Sequence, residues 1–143
     1  LKKDLESLTE TTRAKAIKAL ELCKSANIPV AVTSTRRTDD EQIALYAQGR
    51  LGLLAVNTLR RKAGLYQLAE SENTYTVTNC DGVKSKSKHQ AGLALDVVPT
   101  KNGAPIWPDI TDIRWKQISD IFIGVGFTWG GTWGDAPHYE LPA

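Results

Sequence analysis

His89 and His138 are the only histidines in the 143 residues, and each stands near a carboxylate at a turn-to-strand junction. His89 opens the run His89-Gln90-Ala91-Gly92-Leu93-Ala94-Leu95-Asp96. Strand alternation puts Ala94, Asp96 and Val98 on one face and Leu93, Leu95 and Val97 on the other. Asp96 is then a carboxylate inside an apolar strand, and such a charge needs a partner or a metal. Gly92 permits the tight turn that would swing His89 back toward it. His138 lies in Gly134-Asp135-Ala136-Pro137-His138-Tyr139-Glu140, where a strand from 138 to 141 would put His138 and Glu140 on one face. If that strand pairs near the Asp96 strand, His89, Asp96 and His138 offer nitrogen, oxygen and nitrogen ligands to a zinc ion. Three protein ligands with a fourth position open is the pattern of catalytic zinc. Hydrolysis also needs a carboxylate to take a proton from water and pass it to the leaving amine. Asp135 is the best-placed candidate and Glu140 its competitor. Cys23 and Cys80 have no second ligand at metal spacing and make no disulfide framework.

Several elements must position these groups. Residues 7–26 read as an amphipathic helix, with Ser7 and Glu10 at capping-box spacing. Val30 to Ser34 is a short β-branched run, read as a strand. Thr38 and Glu41 form a second capping box opening a helix to about Gln48, with Gly49 as its stop. Residues 53–69 read as a helix broken near Gly64, and Thr74 to Thr78 as a strand followed by a turn at 79–82. Leu93 to Val98 reads as a strand stopped by Pro99, and Asn102-Gly103 as a turn. A helix from about Thr111 to Val125 carries Trp115, Ile118, Phe122 and Val125 at helical spacing. Phe127 to Trp129 and His138 to Leu141 close the chain as strands around a glycine-rich turn. The expectation is one α+β domain over residues 1–143, with helices packed on a small antiparallel sheet that carries the zinc site.

Composition narrows the function classes. With 41% apolar and 24% charged residues the chain is an ordinary globular protein. A net charge of +2, with no basic stripe, gives no footprint for nucleic acid. Arg60-Arg61-Lys62 and the lysines between 84 and 88 read as solvated loops. No stretch of about 18 apolar residues spans a membrane.

Three segments carry a resemblance. Ser87 to Asp96 resembles the S-x-H-x-x-G-x-A-x-D motif of the VanY-like D-alanyl-D-alanine carboxypeptidase family of zinc peptidases. Trp129-Gly130-Gly131-Thr132-Trp133, followed by Asp135-Ala136-Pro137-His138-Tyr139-Glu140, is similar to the ending of that family's L-alanyl-D-glutamate endopeptidase branch, which includes phage endolysins. Arg37-Thr38, Gln42, Leu45-Tyr46 and Gly49-Arg50 resemble its R-[ST]-x-x-x-Q-x-x-L-Y-x-x-G-R stretch. The carboxypeptidase branch carries an E-x-W-H ending, so Asp135-Ala136-Pro137-His138 points to the endopeptidase branch.

The resemblance implies a fold like that of hedgehog and D,D-peptidase domains, and a peptidase of the peptidoglycan stem peptide. It implies zinc on His89, Asp96 and His138, with Asp135 as the general acid and base. Arg37, with Arg36 as the neighbour easily confused with it, would stabilise the oxyanion or hold a substrate carbonyl. Ser87, Gln42 and Trp133 would contact substrate, and Glu140 would support a ligand from behind. A D,D-carboxypeptidase is the rival activity, and a non-catalytic zinc-binding module of the hedgehog kind a remoter one. The expected partner is the stem peptide alone, with no nucleic acid and a monomeric chain. The site of action would be the cell wall, periplasm or exterior, after cytoplasmic synthesis if the chain is a phage endolysin.

Overall fold

In the computed structural model, which describes residues 1–143, four helices pack on a five-stranded antiparallel sheet. The elements in chain order are α1 (Glu10–Ser25), β1 (Val30–Ser34), α2 (Asp39–Ala47), α3 (Leu53–Lys62), β2 (Ala94–Lys101), β3 (Ala104–Pro105), α4 (Ile113–Val125), β4 (Thr128–Trp129) and β5 (His138–Glu140). The sheet order is β1-β2-β5-β4, with β3 folded back on the end of β2. Asn102 and Gly103 both take positive φ in that hairpin, at 54° and 79°, as a two-residue loop of this kind demands.

The core is explained by alternation. Leu95 and Val97 of β2 and Tyr139 of β5 turn to one face, where they meet Ala16, Ala19 and Cys23 of α1 and Ile118 and Phe122 of α4. The Phe122 ring stacks on Tyr139 with centroids 4.3 Å apart. Asp96 and His138 are sequence neighbours of these core residues, so they face the other way, and they are register partners across β2 and β5. Packing of α1 and α4 therefore fixes the plane from which the polar site projects. Helices α2 and α3 close over a separate small cluster of Ala47, Val56 and Leu68. The β1–β2 ladder is interrupted between Val32 and Ser34, after which Ser34 pairs with Asp96. Such a bulge re-aims the chain that follows, here toward Thr35 and Arg37.

The expected elements differ from the observed ones in five places. Helix α1 starts at Glu10, because Thr9 caps it through the Thr12 amide, while the Ser7 hydroxyl is taken by Thr35 and the Asp4 carbonyl. Helix α3 ends at Lys62, and 65–69 are not helical. Its last turn holds Arg60, which is buried rather than a solvated loop residue, donating to the Tyr66 carbonyl with its guanidinium over the Tyr66 ring. Strand β2 continues through Pro99: the Thr100 amide donates to Pro29 and the Pro99 carbonyl accepts from Ile106, so proline removes only its own donor. Residues 75–78 join no strand; side chains of α2 and of Asn73 tie this part of the chain to the α2–α3 corner instead of to the sheet.

Candidate metal centre and cleft

Asp96 lies at the middle of the site. Its Oδ1 is 3.3 Å from His89 Nε2 and 3.5 Å from His138 Nδ1, and its Oδ2 is 3.2 Å from Arg37 Nη2. The turn from Lys88 to Leu93, with Gly92 at φ 71°, folds His89 back over the start of β2, and the Ser87 hydroxyl accepts the His89 amide. Each imidazole is held from behind. His89 Nδ1 lies 2.7 Å from the Thr35 carbonyl, which only accepts, so Nδ1 carries the proton and Nε2 keeps its lone pair. His138 Nε2 lies 2.8 Å from Glu140 Oε1, which leaves the Nδ1 lone pair facing Asp96.

The consequence is three ligand-type atoms within 4.8 Å of one another, on His89, Asp96 and His138. Asp96 Oδ1 and His89 Nε2 are buried without any hydrogen-bond partner. Buried polar atoms are almost always paired, so an unpartnered carboxylate oxygen aimed at an imidazole lone pair calls for a cation. Two nitrogens and one oxygen, each oriented by a second group, fit zinc. Electrostatics agree. Burial pushes the Asp96 carboxyl upward, yet His89, His138 and Arg37 together outweigh it and hold Asp96 well below the usual carboxylate range. Burial alone would lower His138, but the Asp96 carboxylate, with those of Glu140 and Asp135, raises it.

Asp135 enters from the turn before β5, with Oδ2 3.9 Å from His138 Nδ1 and about half of its side chain exposed to the cleft. Burial raises its pKa, and the charge of Asp96 adds to that. A raised carboxylate beside the ligand cluster suits a group that alternately takes and gives a proton. The turn is tightly built. The Asp135 amide donates to Gly130, and Trp129 Nε1 donates to the Ala136 carbonyl at 2.7 Å. A Cβ on Gly130 would lie 2.6 Å from the Asp135 carbonyl oxygen and 2.8 Å from His138 Cβ. Gly130→Ala is therefore expected to destabilise the protein by about 1–3 kcal/mol, the usual size of overpacking. It should also weaken metal binding, because the displaced atoms belong to Asp135 and His138. Thermal melts with and without added zinc measure both effects.

These groups open on a cleft of about 500 Å³ whose walls come from residues 76–80, 86–89 and 133–135, with Arg37, Asp96, His138 and Glu140. Trp133 is 53% exposed on its rim, edge-on to His138 at 5.9 Å. Ser87 also lines the cleft, although its hydroxyl already serves the His89 amide. Gln42, expected at the substrate, is fully buried instead. Its carbonyl accepts from Arg37 Nη1 and its amide donates to Thr78 Oγ1 and the Cys80 carbonyl, so it braces the cleft wall from behind. Arg37 lines the cleft with both Nη groups engaged, on Asp96 and Gln42, while Arg36 points away to the Ser7 carbonyl. Sequence reasoning missed the Thr35 carbonyl, for which no side-chain signal exists.

Comparison with known proteins places this geometry. A family described as D-alanyl-D-alanine carboxypeptidase matches residues 81–141, the stretch containing His89, Asp96, Asp135 and His138. The peptidoglycan L-alanyl-D-glutamate endopeptidase CwlK of Bacillus subtilis (strain 168) is 30% identical over 138 residues, covering 90% of this chain and 68% of that protein. Two solved structures share the fold. The Serratia marcescens L-Ala D-Glu endopeptidase ChiX superposes with a TM-score of 0.58 at 20% identity, over 96% of this chain and 83% of its own. VanYB in complex with D-Alanine-D-Alanine gives 0.58 at 14% identity, over 95% of this chain and 72% of its own.

Proposed function

This chain belongs to the VanY-like D-alanyl-D-alanine carboxypeptidase family of peptidases, and from that premise we propose that it is a zinc endopeptidase cutting the L-alanyl–D-glutamate bond of peptidoglycan stem peptides. The observation that carries the reading is the convergence of His89, Asp96 and His138 at the foot of a cleft that also holds Asp135. His89, Asp96 and His138 would hold zinc, and the chemistry it would supply is that of a Lewis acid, polarising the scissile carbonyl and acidifying water. The chain's own residues do the rest. Asp135 takes the proton of that water and delivers it to the departing D-glutamyl nitrogen. Glu140 and the Thr35 carbonyl keep the two imidazoles in the tautomers that face the metal. Arg37 holds the far oxygen of Asp96, so it acts in the first place as a positioning residue. Trp133 offers a flat apolar wall to the substrate at the rim. A non-catalytic zinc module would have no use for a cleft carboxylate such as Asp135.

The bond assignment draws support from the 30% identical relative. A carboxypeptidase must meet a terminal carboxylate with a fixed, free cation. Of the cleft cations, Arg37 is bound to Asp96 and Gln42 and Lys86 pairs with Asp39 on the surface, while Lys88 lines the cleft with no ion-pair partner. The glycines at 130, 131 and 134 serve the turn itself: Gly131 lies against the Trp129 ring and Gly134 takes φ 90°. A tripeptide of L-alanine, D-glutamate and a diamino acid separates the two activities. The endopeptidase releases L-alanine from it; a D,D-carboxypeptidase leaves it intact, and an intact tripeptide beside a trimmed pentapeptide would reverse the assignment. We propose a site of action at the cell wall, in the periplasm or outside the cell, and a monomeric protein.

Arg37→Lys tests the positioning role. Lysine keeps the charge but cannot hold Asp96 and Gln42 at once. The expected loss is about 10–100-fold in kcat/KM, the usual effect of removing an orienting partner. Zinc should remain at one per chain under saturating metal, and Arg36→Lys should change neither quantity.

A further inference from the structure

Thr76-Val77-Thr78 is a β-branched run that reads as a strand, lies within the cleft wall, and yet joins no sheet. Tyr75 leads into it in extended conformation, at φ −140° and ψ 152°. No main-chain N–H or C=O of residues 76–79 meets a protein partner, and Thr76, Val77 and Asn79 are exposed. The segment is nevertheless held in place. Gln42, itself fully buried, donates to Thr78 Oγ1 at 3.1 Å and to the Cys80 carbonyl at 2.9 Å. At its other end Asn73 accepts from the Gly49 amide and donates to the Leu51 carbonyl. Gly49 has φ 78°, and a Cβ there would lie 2.6 Å from Tyr75 main-chain atoms, so the seat is shaped for this segment.

We infer that residues 76–79 are a strand edge reserved for substrate, on which the main chain of the stem peptide docks by hydrogen bonding in the manner of strand addition. This deepens the proposed function and rests on it. A peptide whose scissile carbonyl sits at His89, Asp96 and His138 occupies the same cleft that 76–79 wall, so its backbone runs within reach of theirs. An anchored edge loses little conformational freedom on binding, which favours affinity. Main-chain pairing holds the peptide by its backbone and leaves its side chains to the rim.

The test uses the zinc-loaded full chain and a stem tetrapeptide whose L-alanyl–D-glutamyl amide is reduced to a methyleneamine, which binds without being cut. Amide hydrogen exchange is expected to slow at two or more of residues 76–79 when this peptide is added. Two variants add direction. Consecutive N–H groups of an extended chain point to opposite sides. One of Thr76→Pro and Val77→Pro should therefore raise KM about tenfold, the worth of a good hydrogen bond, and the other should raise it less. Zinc content should be unchanged in both. Unaltered exchange at 76–79 in a protein that binds the peptide and cleaves its natural counterpart would overturn the strand edge and leave the peptidase reading intact. A protein that neither binds nor cleaves stem peptides would overturn both.

Discussion

Asp135→Asn protein is expected to bind one zinc per chain and to hydrolyse muropeptides at least about 100-fold more slowly than the wild type, the usual magnitude for a lost general acid and base. Asparagine preserves the size of the side chain and the turn in which it sits, but it cannot accept the proton of the attacking water. The metal should stay, because Asp135 is the outlying member of the cluster: its nearest approach to His138 Nδ1 is 3.9 Å, against 3.3 and 3.5 Å for the contacts of Asp96 with the two imidazoles. Metal analysis and steady-state turnover on the same preparation separate the two effects. Glu140→Gln supplies the control. Glu140 is engaged on the far nitrogen of His138, so its loss should weaken zinc binding more than it slows the zinc-saturated enzyme. Abolished turnover in Glu140→Gln with normal turnover in Asp135→Asn would transfer the acid–base role to Glu140.

His138→Ala is expected to remove both zinc and activity. The substitution deletes one of three donor atoms and also strands Glu140, whose Oε1 is 2.8 Å from the lost ring. The affinity loss should exceed the roughly 10–100-fold that follows removal of an outer partner. Competition with a chromophoric chelator measures it. The fold should persist, since the core of β2, β5, α1 and α4 lies on the opposite face of the sheet. Circular dichroism superimposable on the wild type, with no retained zinc, is the anticipated pair of results. Undiminished zinc in this variant would remove His138 from the ligand set.

The parts of this architecture that are written locally were legible in the sequence. Val30 to Ser34 is a strand because its residues are β-branched and bounded by Pro29, and Thr38 with Glu41 forms the capping box its spacing implies. The candidate ligands stood out because two histidines in a chain this long are conspicuous, and because Asp96 interrupts an apolar run. Partner choice was not legible. Nothing near Thr74 to Thr78 says whether an extended run will join a sheet; that depended on Gln42 and Asn73 tying it to the α2–α3 corner. The spacing of Ser7 and Glu10 implied a cap at Ser7, but the contact of Ser7 with Thr35, distant in sequence, takes that hydroxyl and Thr9 caps the helix. Gln42 reads the same whether its amide faces substrate or a buried wall. The Thr35 carbonyl, which orients His89, belongs to the main chain and leaves no trace in residue type.

The most direct measurement of the central claim is mass spectrometry of a defined muropeptide pentapeptide digested by the zinc-loaded protein, with a chelated sample alongside. The expected product is a tetrapeptide with a new D-glutamyl amino terminus, formed with zinc, absent after chelation and restored by adding zinc back. Free D-alanine as the sole product would contradict the bond assignment, and the same digestion rate in the chelated sample would contradict the metal centre.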